Sequence, residues 1–535
     1  MADGVIEISA EEMDALIERM ENNLTDGLSP EPGDVRLILL ILRQFATMQQ
    51  KLEGSSYLKE RYLKLMGLVS SSENQDALLN KASRSSTNIP RKKKQRPETK
   101  PIPPKVCHHK LKALEKGQIC PECEQGRLYK TEPASFIRII GQQPLSSERH
   151  IMEQLRCNLC GQLFTALLPD EILQDGARNQ KYSYSARTIM GISKFYMGSP
   201  YYRQESLQSL MGMPVAASTI YDQCVLLVDD VLPIFEFLKQ YSANAYHFNI
   251  DDTGNRILTE KSVEKPNRNG KGMRKRTGIY SSCLIATWEH EQKVVLFKTN
   301  IGHSGEWIDE ILTDRLAGLP APIVMSDALT SNIPQSLSCQ ISLCNAHSRR
   351  KFVDVLSNFP EEVEHIIDCY ALIWQNDTIT ESEGMTAKVR LAYHIEHSLP
   401  IMQALQTWCE AQLHDNKTEE NSGLGKAIKY FLKHYEGLTA FCRIEGANLD
   451  NNAAEIVIKL IARGRKNSQF YKTLAGAHVG DVITSLIATC EINGINCFDY
   501  LVALQQHRRV LEKEPERWLP WNYQLILKEN ENIAA

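Results

Sequence analysis

Between Ala245 and Asp327 the chain switches from helical to extended periodicity, and this stretch restricts the fold more than any other. AYHFNID, GIYSSCLIATW and KVVLFKT are β-branched or aromatic runs punctuated by turns; GEWIDEILTDRL has helical spacing; APIVMSD is a short apolar run of the kind that forms a buried strand. Three strands in series, a helix and a further strand predict a mixed sheet with helices packed on it. A chain of 535 residues is too long for one core, so this α/β region must be one domain among several.

The flanking segments read as helix, linker and a cysteine module. Ser9 and Glu12 have capping-box spacing, and Met13, Ile17 and Met20 recur on one helical face. Further helices at about 34–51 and 56–68 complete a helical leader with coiled-coil potential over residues 1–68. Residues 69–105 turn to Ser, Asn, Lys, Arg and Pro without apolar periodicity, a basic flexible linker. The cysteine module covers 106–169, and 170–243 is helical. There Gly212 and Pro214 mark a turn and Ser218 is the expected N-cap of the next helix, the outline of a helix-turn-helix. Two packed helices with no DNA in reach have the same outline. The sheet domain opens with 244–345, a helical insertion fills 346–445, a core helix 446–480, and a helical region closes the chain over 481–535.

Charge is segregated. The net charge is only −4, yet residues 1–34 hold ten Asp/Glu against one Arg, residues 91–116 ten Lys/Arg against two Glu, and residues 261–276 seven against one. Such basic runs suit a polyanion, or a solvated linker. The apolar run Leu37–Leu42 is far too short to span a bilayer, and no apolar stretch follows a charged start at Met1. A cytoplasmic protein without a membrane partner is expected, whose fourteen cysteines serve as metal ligands or core thiols.

Cys120-Pro-Glu-Cys123 and Cys157-Asn-Leu-Cys160 are two C-x-x-C pairs, separated by 33 residues that a hairpin such as FIRIIGQQ…HIMEQLRC would fill. Two thiolate pairs on tight turns complete a tetrahedral structural zinc site, a zinc-ribbon-like arrangement. Cys344 and His347 also have ligand-like spacing, but with no second pair beside them they read as core residues.

Carboxylates at strand ends carry the sharper signal. Asp251 and Asp252 end one run and Asp327 another, where acids at a sheet rim can hold a divalent cation through oxygen. LDNNAAEIVIKLIARGRKN reads as a helix apolar nearly all round, with a polar line of Asn452, Glu455, Lys459 and Arg463. A buried Glu455 needs a partner, either a metal shared with the aspartates or Lys459 one turn on.

These residues resemble transposases of the insertion-sequence-66 type. The resemblance rests on DDT (Asp251–Thr253), VMSDA around Asp327, CNAHSRRKF (Cys344–Phe352), LDNNAAE ending at Glu455, GRKNSQFYKT (Gly464–Thr473), SLIATCEINGINCFDYL (Ser485–Leu501) and WLPWNY (Trp518–Tyr523), in that order, and extends from about Ile119 to the C-terminus. The chain departs from the family at Asp252, where Glu is common, and at Ile456, where Arg is common.

The resemblance implies a ribonuclease-H-like core of the DDE class with Asp251, Asp327 and Glu455 as its triad. The triad would bind two Mg²⁺ (or Mn²⁺), with structural Zn²⁺ in the cysteine module. It further implies cleavage at element ends and transfer of the freed 3′-OH into target DNA. The partners would be double-stranded DNA (terminal inverted repeats and target), other copies of the chain on DNA, and small accessory proteins of the same element. Lys459, Arg463, Arg465, Lys466, Arg349, Arg350 and Lys351 become candidate phosphate contacts, and the 261–276 run a mobile loop over DNA; such contacts position DNA without specifying sequence. A zinc-dependent DNA-binding protein with an inactive core, and a general nuclease, are the alternatives. In a bacterial cell the protein would be nucleoid-associated when bound.

Overall fold

The computed structural model describes residues 143–156, 158, 162–176, 181–266, 272–288, 292–335 and 338–534, with isolated positions among the first 128. The leader is described only at scattered positions, such as the helical Leu16 and Arg19. The linker and Cys120, Cys123, Cys157 and Cys160 lie outside the described residues. Among the described residues no helix is long and apolar enough to cross a membrane.

The chain divides into two compact units. One comprises Met1–Pro90, Arg349–Gln375 and Trp408–Lys429. Its clearest core stripe is Val363, Ile366, Tyr370 and Ile373 on the helix Pro360–Ser382, all fully buried at helical spacing.

The other unit, Arg91–Ser348, Asn376–Thr407 and Tyr430–Ala535, holds the sheets. An antiparallel pair, β1 (Gln154–Arg156) and β2 (Leu163–Thr165), brackets Cys157 and Cys160 in sequence. A bridge between Ile119 and Arg127 brackets Cys120 and Cys123 in the same way. The QLR segment thus pairs downstream with LFT; its expected partner FIRII lies outside the described residues.

The helices Tyr184–Phe195, Tyr201–Leu210 and Ala217–Ser242 follow. Gly212 takes φ +82° in the turn, but the third helix starts before Ser218, with Ala216 at its N-cap. Its first N–H is satisfied by the Glu205 carboxylate at 3.2 Å, so no capping hydroxyl is needed.

The main sheet contains β3 (His247–Asn255), β6 (Ile279–Thr287), β7 (Lys293–Asn300), β8 (Ile323–Ser326) and β9 (Gln340–Leu343), in the order β7-β6-β3-β8-β9. β7, β6 and β3 are antiparallel neighbours, whereas β8 and β9 add in parallel after the helix Ser304–Leu312. This is the mixed α/β sheet that the strand runs predict, with β9 as a strand they did not. Within the basic run 261–276, β4 (Val263–Pro266) and β5 (Met273–Arg276) pair as an antiparallel ladder, and 267–271 between them lie outside the described residues.

Both faces of the sheet are covered, as its alternation requires. Phe248, Ile250, Leu284, Ala286, Val294 and Leu296 face the core shared with the helices Ala217–Ser242 and Ser304–Leu312. Cys283, Ile285, Val295 and Phe297 face the helix Asn452–Ser468 through Ala454, Ile458 and Ile461. That helix is therefore amphipathic rather than buried all round, and Ile456 is 49% exposed.

The free edge of β7 is sealed by the helix Leu474–Ile492 and the Asn493 that follows it. Asn493 Oδ1, Thr489 Oγ1, Ser485 Oγ and Asp481 Oδ2 accept the backbone N–H groups of Lys293, Val295, Phe297 and Thr299 at 3.1, 3.0, 2.8 and 2.7 Å. Four helical residues rise about 6 Å and two strand residues about 6.6 Å, so polar residues every fourth position track alternate strand residues. The edge is thereby closed to pairing with another chain.

Candidate active site

Three acids from three elements lie at one rim of the main sheet, near enough for the charges of Asp327 and Glu455 to act on Asp251, though their oxygens do not close to within 4.8 Å of one another. Asp251 on β3 and Asp327 just beyond β8 each lie two residues past Asn249 and Met325, the last paired positions of these neighbouring parallel strands. Glu455 stands in the first turn of the helix Asn452–Ser468. Burial, together with the charges of Asp327 and Glu455, pushes the Asp251 carboxyl up to about 7, while a hydrogen bond from the Asp252 N–H opposes the shift. Asp327 Oδ1 is fixed by Asn332 Nδ2 at 2.9 Å and by the Leu329 N–H at 3.2 Å.

Strand parity separates the two adjacent aspartates. Asp251 shares the face of Asn249, which bonds Asn451 at the start of the Glu455 helix (3.0 Å). Asp252 points to the opposite face, where it accepts the Ser304 N–H at 3.0 Å, the Ser282 hydroxyl at 2.6 Å and a contact from His303 at 3.0 Å. It therefore places negative charge at the N-terminus of the helix Ser304–Leu312, a structural role.

Asparagines unremarked in the sequence analysis hold Glu455 in place. Asn451 Nδ2 donates to the Ile250 carbonyl at 2.8 Å, one residue before Asp251. Asn345 Nδ2 donates to the carbonyls of Leu438 and Leu449 at 2.9 and 3.1 Å. Both asparagines are 1% exposed. Their signal was present in the motifs CNAH and LDNN, but their partners are over ninety residues away.

Cys344 and His347 also come to this rim. The Cys344 Sγ, an imidazole nitrogen of His347 and a Glu455 oxygen lie within 4.8 Å of one another, so the pair first read as core belongs to a polar cluster. Nδ1 of His347, rather than Lys459, stands against Glu455 Oε1, at 3.5 Å.

The basic residues divide into two groups. Arg463 donates to the Tyr196 carbonyl and lies 5.4 Å over its ring, and Arg465 donates to Gly254 O and to Thr253 Oγ1, so both brace the Glu455 helix. Lys459 and Lys466 are exposed on it. Arg349, in the other unit, is 6% exposed and lies 5.7 Å over the Trp374 ring. Arg350 is half-buried and Lys351 exposed.

The donor set of Asp251, Asp327 and Glu455 is oxygen only, which fits hard divalent cations such as Mg²⁺ or Mn²⁺. Asp251 is raised first by burial and further by the charges of Asp327 and Glu455, surroundings in which a bound cation would favour its charged form.

Comparison with known proteins matches residues 182–479 to the family described as "Transposase IS66 family". The chain is also similar to three proteins of Sinorhizobium fredii. It is 34% identical to uncharacterized protein y4jD over 34% of this chain and 36% of that one. It is 25% identical to uncharacterized protein y4hP over 89% and 87%, and 23% identical to uncharacterized protein y4qI over 67% and 65%. The chain thus spans little more than a third of the first relative and most of the second.

Proposed function

Because the chain belongs to the IS66 transposase family, we propose that it is a DNA transposase whose catalytic residues are Asp251, Asp327 and Glu455 on a ribonuclease-H-like core. The observation that carries this reading is the convergence of these acids, from β3, the end of β8 and the Glu455 helix, with Asp251 pushed up to about 7. The sheet, three antiparallel strands extended by two parallel ones, is compatible with such a core.

Mg²⁺ or Mn²⁺ bound by the three acids would activate an oxygen nucleophile and neutralise charge on the attacking and leaving oxygens of a phosphodiester. The chain's own contribution is positioning. Asn332 and the Leu329 N–H set the rotation of Asp327. Asn451 ties the start of the Glu455 helix to β3 at Ile250, and Asn345 ties the segment just before that helix, at Leu449, to the start of the helix Asn345–Val353. Arg463 and Arg465 brace the far end of that helix. Lys459 and Lys466 extend from Glu455 along one side of the helix over about 16 Å and would meet successive phosphates.

The substrates in this reading are the ends of the mobile element and the target DNA, engaged by more than one copy of the chain and by accessory proteins of the same element. The cysteine module would hold Zn²⁺ through Cys120, Cys123, Cys157 and Cys160 and contribute to recognition of the ends.

The test is cleavage of DNA carrying the element ends by the purified full chain with Mg²⁺ or Mn²⁺. Nicking at the ends, lost in Asp327→Ala and Glu455→Gln, is the expected result. Undiminished cutting by those variants overturns the catalytic assignment. Salt-sensitive binding without cleavage indicates an inert core, and cleavage without preference for the ends a general nuclease.

A further inference from the structure

We propose that Cys344, His347 and Glu455 form a second metal site, distinct in chemistry from the oxygen-only centre, which takes a cation preferring sulfur and nitrogen ligands, above all Zn²⁺.

The three ligand atoms come from separate elements. Cys344 directly follows β9, His347 lies in the first turn of the helix Asn345–Val353, and Glu455 lies in the first turn of its own helix. Their separation of at most 4.8 Å is close to what one ion requires. Ligands about 2.0 to 2.3 Å from a tetrahedral Zn²⁺ stand roughly 3.3 to 3.8 Å apart, so small side-chain rotations close the site.

Two further features point the same way. His347 Nδ1 is buried, makes no hydrogen bond, and stands 3.5 Å from Glu455 Oε1. The Cys344 sulfur, 1% exposed, accepts the Asn451 N–H at 3.2 Å and a backbone hydrogen bond from His347. Backbone donors aimed at a buried sulfur favour a thiolate, which is the ligating form.

A divalent ion binding there would take the sulfur as thiolate and release the thiol proton. Three protein ligands leave a fourth position open to water or another oxygen donor. Glu455 has two carboxylate oxygens and is the residue common to both centres. The inference stands on ligand geometry and does not depend on the transposase reading.

The experiment counts zinc in the full chain after equilibration with Zn²⁺ and removal of loosely held metal. Cys344→Ala and His347→Gln are each expected to carry one zinc per chain fewer than wild type, while Asp251→Asn carries the same number. Equal zinc in wild type and both variants overturns the site. A second measurement keeps Cys344 in place: in the Cys120→Ser/Cys157→Ser chain, added Co²⁺ should give a thiolate-to-metal charge-transfer band, and absence of the band also overturns the proposal. Loss of DNA cleavage would leave both readouts untouched, so failure of the functional reading is distinguishable.

Discussion

Asp251 and Asp481 are both pushed from 3.8 up to about 7, and in both burial is the leading cause. Their surroundings differ completely. Asp481 is 4% exposed in the seam between β7 and its covering helix, and it accepts both the backbone N–H and the hydroxyl of Thr299 at 2.7 Å. Among the described residues Asp251 accepts only its neighbour's N–H, and the charges of Asp327 and Glu455 raise it further. One acid is held by donors, whereas the other faces acids. A raised carboxyl alone does not locate a site; what surrounds it does.

The largest separation between these regions should appear in activity. Asp251→Asn is expected to lower metal-dependent cleavage by on the order of 100-fold or more. Asp481→Asn, which keeps an acceptor for Thr299, should leave cleavage nearly unchanged, and equal losses in the two variants would erase the contrast.

The next test is pH. Both carboxyls titrate higher in the folded chain than in the unfolded one, so their contribution to stability is complete below 3.8 and is lost as pH rises through about 7. Denaturant melts of metal-free protein should fall over that window by at most a few kcal/mol, and each Asn variant should remove its own share. Added Mg²⁺ should cancel the Asp251 share, because a bound cation favours the charged form, and leave that of Asp481 in place. A share for Asp481 that also vanishes with Mg²⁺ would contradict the assignment.

Smaller effects sharpen the structural side. Ser485→Ala leaves the Phe297 N–H buried without its acceptor, and a loss of about 1–2 kcal/mol in a denaturant melt is expected. Asp252→Asn removes charge at the start of the helix Ser304–Leu312 and should cost about 0.5–1 kcal/mol of stability, with less effect on cleavage than Asp251→Asn.

Much of the sheet was readable because β-branched runs at period two, broken by turns, leave few alternatives. QISL escaped because it is four residues long and half of it is only partly buried, giving no alternation to detect. The helix cap moved from Ser218 to Ala216 because a carboxylate from the preceding helix supplied the acceptor, a contact invisible to local spacing. The polar residues at 481, 485, 489 and 493 were visible at fourfold spacing, but the strand edge they cover is about 190 residues away.

The same division runs through the site. The linear order of residues determined which acids were available, that Asp327 follows a strand and Glu455 begins a helix, and that a C-x-x-H pair lay near them, whereas Asp251, expected at a strand end, lies within β3, which runs on to Asn255. Tertiary structure decided that Asp251 turns toward Glu455 while Asp252 caps a helix on the opposite face, and that Cys344 and His347 lie beside a carboxylate 108 residues further on. Spacing along a chain reports only contacts within a turn or a strand. Which distant groups share one desolvated rim is set by how sheet and helices pack, and that sharing is what shifts a carboxyl or assembles a ligand set.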